Sequence, residues 1–303
     1  KMDKDFKRYK EIVDEHLMDF MPRIDRKSIT LYDSMKYSLE AGGKRIRPAL
    51  VLGACEFCGG DVMTALPYAC AIEYIHTYSL IHDDLPCMDD DELRRGLPTN
   101  HVKFGAGIAT LAGDGLLSSA FELMNRDMLM YLDDIDELTK RVKASYEISR
   151  GAGVRGMVAG QISDLEAEGK DVSVEMLDYI NINKTGAMIR GAVKAGVHLG
   201  GGTQEQMDRL TDYAENLGLA FQVRDDILDI VGDAKELGKN TGMDAAMDKS
   251  NYPAIFGLEK SYEKMEMHLD RAYGAIAEYY DNAEFFYHLL DMLELRERER
   301  VRN

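Results

Sequence analysis

The chain has 303 residues, 45% of them hydrophobic, and a formal net charge of −17, so it can bury one large core. That charge argues against nucleic acid and anionic membrane surfaces as partners. It leaves room for a polyanionic substrate, because metal ions on clustered carboxylates would invert the local field. Cys55, Cys58, Cys70 and Cys87 provide one C-x-x-C and nothing to complete a zinc site, which fits reduced thiols. The charged opening Lys1 to Lys10 lacks the apolar stretch of a signal peptide, and no apolar run is long enough to span a bilayer. The expectation is a soluble cytoplasmic protein, with Lys1, ahead of Met2, an added residue.

Only six prolines occur, none between Thr99 and Tyr252, and apolar residues there recur at three and four, which predicts helix almost throughout. Phe6 to Phe20 reads as an amphipathic helix closed by Pro22, and Ser28 to Leu39 as a second ended by Gly42-Gly43. Lys44-Arg45-Ile46-Arg47-Pro48 is a basic turn into a helix through Ala49 to Glu56. Three cations there suit a phosphate group, with a solvated basic loop as the alternative. Ala65 to Asp84 is an apolar helix interrupted by His76, which is either a satisfied core residue or a functional one. Gly105 to Leu132 and Glu137 to Arg150 form two more helices. Gly160-Gln161-Ile162-Ser163-Asp164 then places polar side chains in an apolar helix.

Val174 to Leu199 has helical spacing but contains Asn183-Lys184-Thr185-Gly186, a locally unfavourable sequence whose glycine permits a kink or a close approach. Thr203 with Gln206 is a capping-box pattern and opens a long helix to Asp225-Asp226-Ile227-Leu228-Asp229. Lys239 and Lys249 bring cations back after it, and Arg296 to Arg302 form a charged end. With no linker or short repeat, residues 1–303 read as one all-α domain.

Two stretches carry the chemistry. Asp83, Asp84, Asp89, Asp90 and Asp91 follow the apolar helix and precede Arg94 and Arg95. Oxygen donors without a thiol or imidazole pair suit Mg²⁺, and guanidinium forks suit diphosphate oxygens. Pro86 disfavours helical geometry at Leu85, so a looped-out pair of residues would let Asp83 and Asp89 converge. The second stretch stacks Asp225 and Asp229 on one helical face with Asp226 beside them. Two Asp-rich helix ends then read as the jaws of a metal–diphosphate clamp.

These motifs, with Gly42-Gly43-Lys44-Arg45-Ile46-Arg47-Pro48, Ile75 to Pro86, Arg94 to Thr99, Gly160-Gln161, Lys184-Thr185-Gly186 and Phe221 to Asp229, closely resemble the trans-isoprenyl diphosphate synthases, in particular the bacterial farnesyl diphosphate synthase group. The resemblance runs from about Ser28 to the end. It implies an all-α bundle around a deep central cavity, a homodimer, and three Mg²⁺ ions held by Asp83, Asp84 and Asp89 on one side and Asp225, Asp226 and Asp229 on the other. It further implies that Arg94, Lys184, Gln222 and Lys239 contact the allylic diphosphate. Lys44, Arg47, His76 and Arg95 would then bind isopentenyl diphosphate, and Thr185 would face the developing cation. Tyr78 and Ser79 would set chain length, with Tyr74 and Ile75 as further contributors, and Pro86-Cys87 is the insertion that accompanies farnesyl product. Asn183 departs from the histidine common at that position.

The resulting expectation is farnesyl diphosphate synthesis, with geranylgeranyl or geranyl diphosphate as alternatives. A class I terpene cyclase would lack the Lys44, Arg47, His76 and Arg95 set. A non-catalytic regulatory partner of the same fold would be expected to lose its aspartates.

Overall fold

In the computed structural model, residues 3–237, 250–279 and 282–301 are described, with side chains described except at 233–237 and 295–301. Lys239 and Lys249, and the side chains of the charged end, lie outside these residues. The first helix, α1 (Lys4–His16), starts at Asp3, whose carboxylate accepts from the Asp5 and Phe6 amides, the pattern of an N-cap. It buries Phe6, Tyr9 and Val13 along one stripe. It ends before the expected Phe20, with residues 17–20 in a turn.

Helices α2 (Ile29–Glu40), α3 (Ile46–Phe57) and α4 (Val62–Asp83) follow. Every residue of α4 from Ala65 to Ile75 is buried, as expected for a helix apolar on all sides. It packs against α3 and against α6 (Ala106–Leu129), which follows the short α5 (Asn100–Phe104). Between α4 and α5, β1 (Leu93–Arg94) pairs antiparallel with β2 (Leu97–Pro98), Leu93 opposite Pro98. Arg95 and Gly96, at φ 51° and 78°, form the two-residue loop that left-handed geometry favours in a hairpin.

The second half comprises α7 (Ile135–Ala152), α8 (Met157–Ala167), α9 (Val174–Asn181), α10 (Ala187–Leu199) and α11 (Gln204–Leu237), then α12 (Tyr252–Phe256), α13 (Leu258–Ala275) and α14 (Glu284–Val301). The capping box before α11 is present: the Thr203 amide donates to Gln206 Oε1 at 2.9 Å, and the Gln206 amide to Thr203 Oγ at 3.1 Å. The helical run from Val174 to Leu199, expected to kink or admit a close approach at Lys184-Thr185-Gly186, is interrupted there by a π-helical turn at Ile182–Gly186, wider than the α-helix and frequent at functional sites. The second acidic motif lies inside α11, which continues past Asp229 to Leu237. The expectation of two helix ends therefore holds for the first motif alone.

Glycines let neighbouring backbones approach the π turn. A Cβ on Gly160 of α8 would lie 2.2 Å from the Lys184 amide nitrogen, and one on Gly218 of α11 3.2 Å from Gly186 Cα. Among the described residues, no helix is long and apolar enough to cross a membrane. Gly160→Ala should therefore destabilise the protein by about 1–3 kcal/mol through overpacking, read from urea unfolding. Gly107→Ala on α6, where nothing lies within 4 Å, should be neutral or stabilising. Equal midpoints for the two variants would show that the π turn yields freely.

Candidate active site

The first motif is assembled by the way α4 ends. The Asp89 amide donates to the Asp83 carbonyl at 2.9 Å, while the Met88 and Asp90 amides both reach the Leu85 carbonyl. Asp90 takes φ 51°, and Pro86 and Cys87 are left exposed. The looped-out pair thus brings Asp89 back beside Asp83. Burial pushes the Asp83 carboxyl up to about 6, opposed by Lys184 and reinforced by Asp89. Burial also raises Asp89.

Asp84 behaves differently. It is buried, and its two oxygens accept from Arg94 Nε at 2.9 Å and Nη2 at 2.7 Å, a bidentate fork. The sequence reading placed Asp84 on metal and Arg94 on the allylic diphosphate. In the structure the two are joined to each other, and this carboxylate orients the hairpin arginine.

On α11, Asp226 is held at both oxygens. Gln222 Nε2 donates to Oδ1 at 3.1 Å, and the Tyr252 amide donates to Oδ2 at 3.3 Å. Gln222 Oε1 in turn accepts from Thr185 Oγ1 at 3.3 Å. Burial nevertheless pushes Asp226 up to about 7 and Asp225 up to about 6, the latter opposed by Arg224, Lys44 and Arg47. Asp229 is exposed.

Carboxylates pushed up by burial and by one another are ones that a cation would relieve. The donors are all oxygen, which fits Mg²⁺, an ion that keeps waters and shares substrate phosphate oxygens.

The basic turn divides into a structural and an available cation. Arg45, at φ 57°, is buried. Its Nη1 donates to Glu73 Oε1 at 2.7 Å, its Nε to Asp14 Oδ1 at 2.9 Å and its Nη2 to the Leu39 carbonyl at 2.6 Å. It is therefore not one of three phosphate-binding cations. Arg47 Nε is buried without a hydrogen-bond partner, an unmet donor that a ligand oxygen would satisfy. His76 is pulled well below its usual range by burial and by Arg47 and Arg95. It lines a cleft with Gly42, Thr77 and Arg95, and shares the main cavity with Arg47. Arg95 Nη1 donates to the Gly42 carbonyl.

That cavity measures about 560 Å³ and runs from Asp83, Lys184 and Thr185 to Tyr78 and Ser79. Lys184 Nζ donates to Asp164 Oδ2 at 2.6 Å. Tyr78 meets His82 edge to face at 5.4 Å, and His82 Nε2 lies 2.9 Å from the Thr110 carbonyl oxygen. Tyr74 is wholly buried, with its hydroxyl on the Leu17 carbonyl. Ile75 is also in the core, so neither of these further contributors is part of the wall. His82, Thr110, Val158 and Ile162 line the cavity and were not singled out from sequence. The spacing of Tyr78 with His82, and of Val158 with Ile162, was the available signal.

The sequence pattern of the family described as Polyprenyl synthetase matches residues 29–290. The chain belongs to the polyprenyl synthetase family. It is 46% identical to a geranylgeranyl diphosphate synthase of Cyanophora paradoxa over 274 residues, 90% of this chain and 89% of that protein. It is also 46% identical to a farnesyl diphosphate synthase of Geobacillus stearothermophilus over 263 residues, 87% of each. Among solved structures, an FPP/GFPP synthase from Zymomonas mobilis superposes with a TM-score of 0.80 at 32% identity, covering 94% of this chain and 95% of that one. Short-chain prenyl transfer and the all-α isoprenyl synthase fold follow from this membership.

The aspartates also predict a pH effect on metal-free protein. Because burial raises Asp226 in the folded state, that state binds its proton more tightly than the unfolded chain. The associated stability is present below the unfolded value and is lost as pH rises through about 7. Asp226→Asn should therefore stabilise metal-free protein at pH 8 by on the order of 1 kcal/mol after solvent screening, and have little effect near pH 4. Chemical denaturation at the two pH values measures the difference.

Proposed function

We propose that the protein condenses isopentenyl diphosphate with allylic diphosphates and that its main product is farnesyl diphosphate. Support for the product comes from the Tyr78 ring in the cavity wall. It lies about 7.5 Å back along α4 from Asp83, at 1.5 Å per residue, where it would stop a short chain.

Asp83, Asp89, Asp225, Asp226 and Asp229 would hold Mg²⁺, which when bound draws charge from the departing pyrophosphate. Lys184, kept charged by Asp164, Asp83 and Asp89, and Arg94, aimed by Asp84, would bind the allylic diphosphate together with Gln222 and Lys239. Lys44, Arg47, His76 and Arg95 would bind isopentenyl diphosphate. The allylic C–O bond breaks with its electron pair leaving on pyrophosphate. The isopentenyl double bond then forms the new C–C bond, and pyrophosphate takes the proton whose loss restores a double bond.

The Thr185 proton is committed to Gln222, so its oxygen lone pairs are available to the cation. The apolar wall excludes water that would quench the cation. Exposed Leu111, Ile135, Val142 and Tyr146 on α6 and α7 support assembly as a homodimer.

A second reading, geranylgeranyl diphosphate, is favoured by Thr110, Val158 and Ile162, which line further cavity wall. Incubation with Mg²⁺, isopentenyl diphosphate and each allylic starter, followed by chromatography of the dephosphorylated products, separates the two. A fifteen-carbon alcohol from the five- and ten-carbon starters is expected. A twenty-carbon alcohol would overturn the farnesyl assignment, and no condensation would overturn catalysis. Tyr78→Ala should lengthen the product, and an unchanged product would place the stop elsewhere. Asp83→Ala and Asp225→Ala should lower turnover by about a hundredfold or more with the helical circular dichroism unchanged; near-normal rates would overturn the clamp.

A further inference from the structure

Tyr252, the first residue of α12, has no exposed surface and is not among the cavity-lining residues. Its backbone amide nevertheless donates to Asp226 Oδ2 at 3.3 Å. Its hydroxyl donates to Asp178 Oδ1 at 2.5 Å and accepts from Asn181 Nδ2 at 3.2 Å. Lys264 of α13 holds the other Asp178 oxygen at 3.2 Å and lies 5.3 Å from the centre of the Tyr252 ring.

Asp178 and Asn181, three apart on α9, share a face, and the π turn begins at the next residue, Ile182. A hydrogen-bonded loop therefore closes. From Asp226 Oδ1 it runs through Gln222 to Thr185, back along the turn to Asn181, and through the Tyr252 phenol and amide to Asp226 Oδ2.

We propose that Tyr252 is a positioning residue, whose phenol couples the second acidic motif to the turn carrying Lys184 and Thr185. The proposal rests on the clamp reading given above. A buried phenol needs a partner, and one carbonyl would satisfy it. Here the hydroxyl bridges two polar side chains on the segment that enters the turn, while the same residue's amide orients Asp226. The ring is a stiff strut between them, so displacement of either end reaches the other. Asn251 steadies the base of the strut by capping α12, its Oδ1 accepting from the Ala254 amide at 2.8 Å.

The test uses the full chain and inorganic pyrophosphate, titrated calorimetrically with and without Mg²⁺, and isopentenyl diphosphate titrated separately. Tyr252→Phe keeps the ring and removes the strut's polar end. It should weaken Mg²⁺-dependent pyrophosphate binding about five- to tenfold, the size expected for one hydrogen bond. Isopentenyl diphosphate binding should stay within about twofold, since Arg47, His76 and Arg95 lie outside the loop. Asp178→Ala should produce the same selective loss, and the double variant should be no worse than the weaker single one. Unchanged pyrophosphate affinity in Tyr252→Phe, or a parallel loss for both ligands, would overturn the proposal. A parent protein that binds pyrophosphate equally well without Mg²⁺ would instead overturn the clamp, and the strut's role with it.

Discussion

Like charge held partly out of water is the constraint on which the site depends. Asp83, Asp225 and Asp226 are all pushed up by burial, so each resists ionisation in the protein alone. A chain that only needed to fold would replace them with neutral residues. Their surroundings instead orient them without neutralising them fully. Lys184 supports the first motif from the side, while Gln222 and the Tyr252 amide fix the two oxygens of Asp226. Such preorganisation keeps carboxylates ready for a cation instead of letting them rotate into solvent.

The arrangement follows from α4. Because that helix is buried on every side from Ala65 to Ile75, it occupies the centre of the bundle, between α3 and α6. Its polar end must then emerge where the other helices leave a gap, and the gap is the cavity mouth. Tyr74 and Tyr78 are one turn apart on the same face, yet one bonds the Leu17 carbonyl in the turn after α1 and the other faces the cavity. The cavity ends between them. Helical periodicity assigns a face but not a depth, which is why Tyr74 remained a contributor in the sequence reading.

Features encoded by neighbours in the chain were legible: the Thr203–Gln206 capping box, the break at Lys184-Thr185-Gly186, and the loop that returns Asp89 to Asp83. Features decided by distant partners were not. Arg45 and Arg47 stand two residues apart in one basic turn, and only the left-handed conformation of Arg45 sends it to Glu73 on α4. The Asp84–Arg94 fork depends on the β1–β2 hairpin folding back over the end of α4, and no spacing rule relates those positions. The second motif was read as a helix end because, like the first, it follows an apolar helical run. Gly232 is the kind of residue that ends helices, yet α11 continues through it to Leu237.

Asn183 illustrates how the π turn is sustained. Its Nδ2 donates to the Tyr179 carbonyl at 2.9 Å, one turn back, at the junction where α-helical bonding changes to the wider pattern. A donor there helps satisfy backbone acceptors that a change in helix period disturbs. With Asn183 bonding backwards, Lys184 crosses to Asp164 and Thr185 to Gln222, so three consecutive side chains tie one turn to α9, α8 and α11. A regular α-helix would rotate successive residues by a fixed angle and could not direct the latter two into the same cavity so readily. The absence of a side chain at Gly160 and Gly218 lets α8 and α11 come close enough for those bonds. The local instability of Lys-Thr-Gly within a helix is thus offset by tertiary contacts, and Lys184 and Thr185 are left lining the cavity.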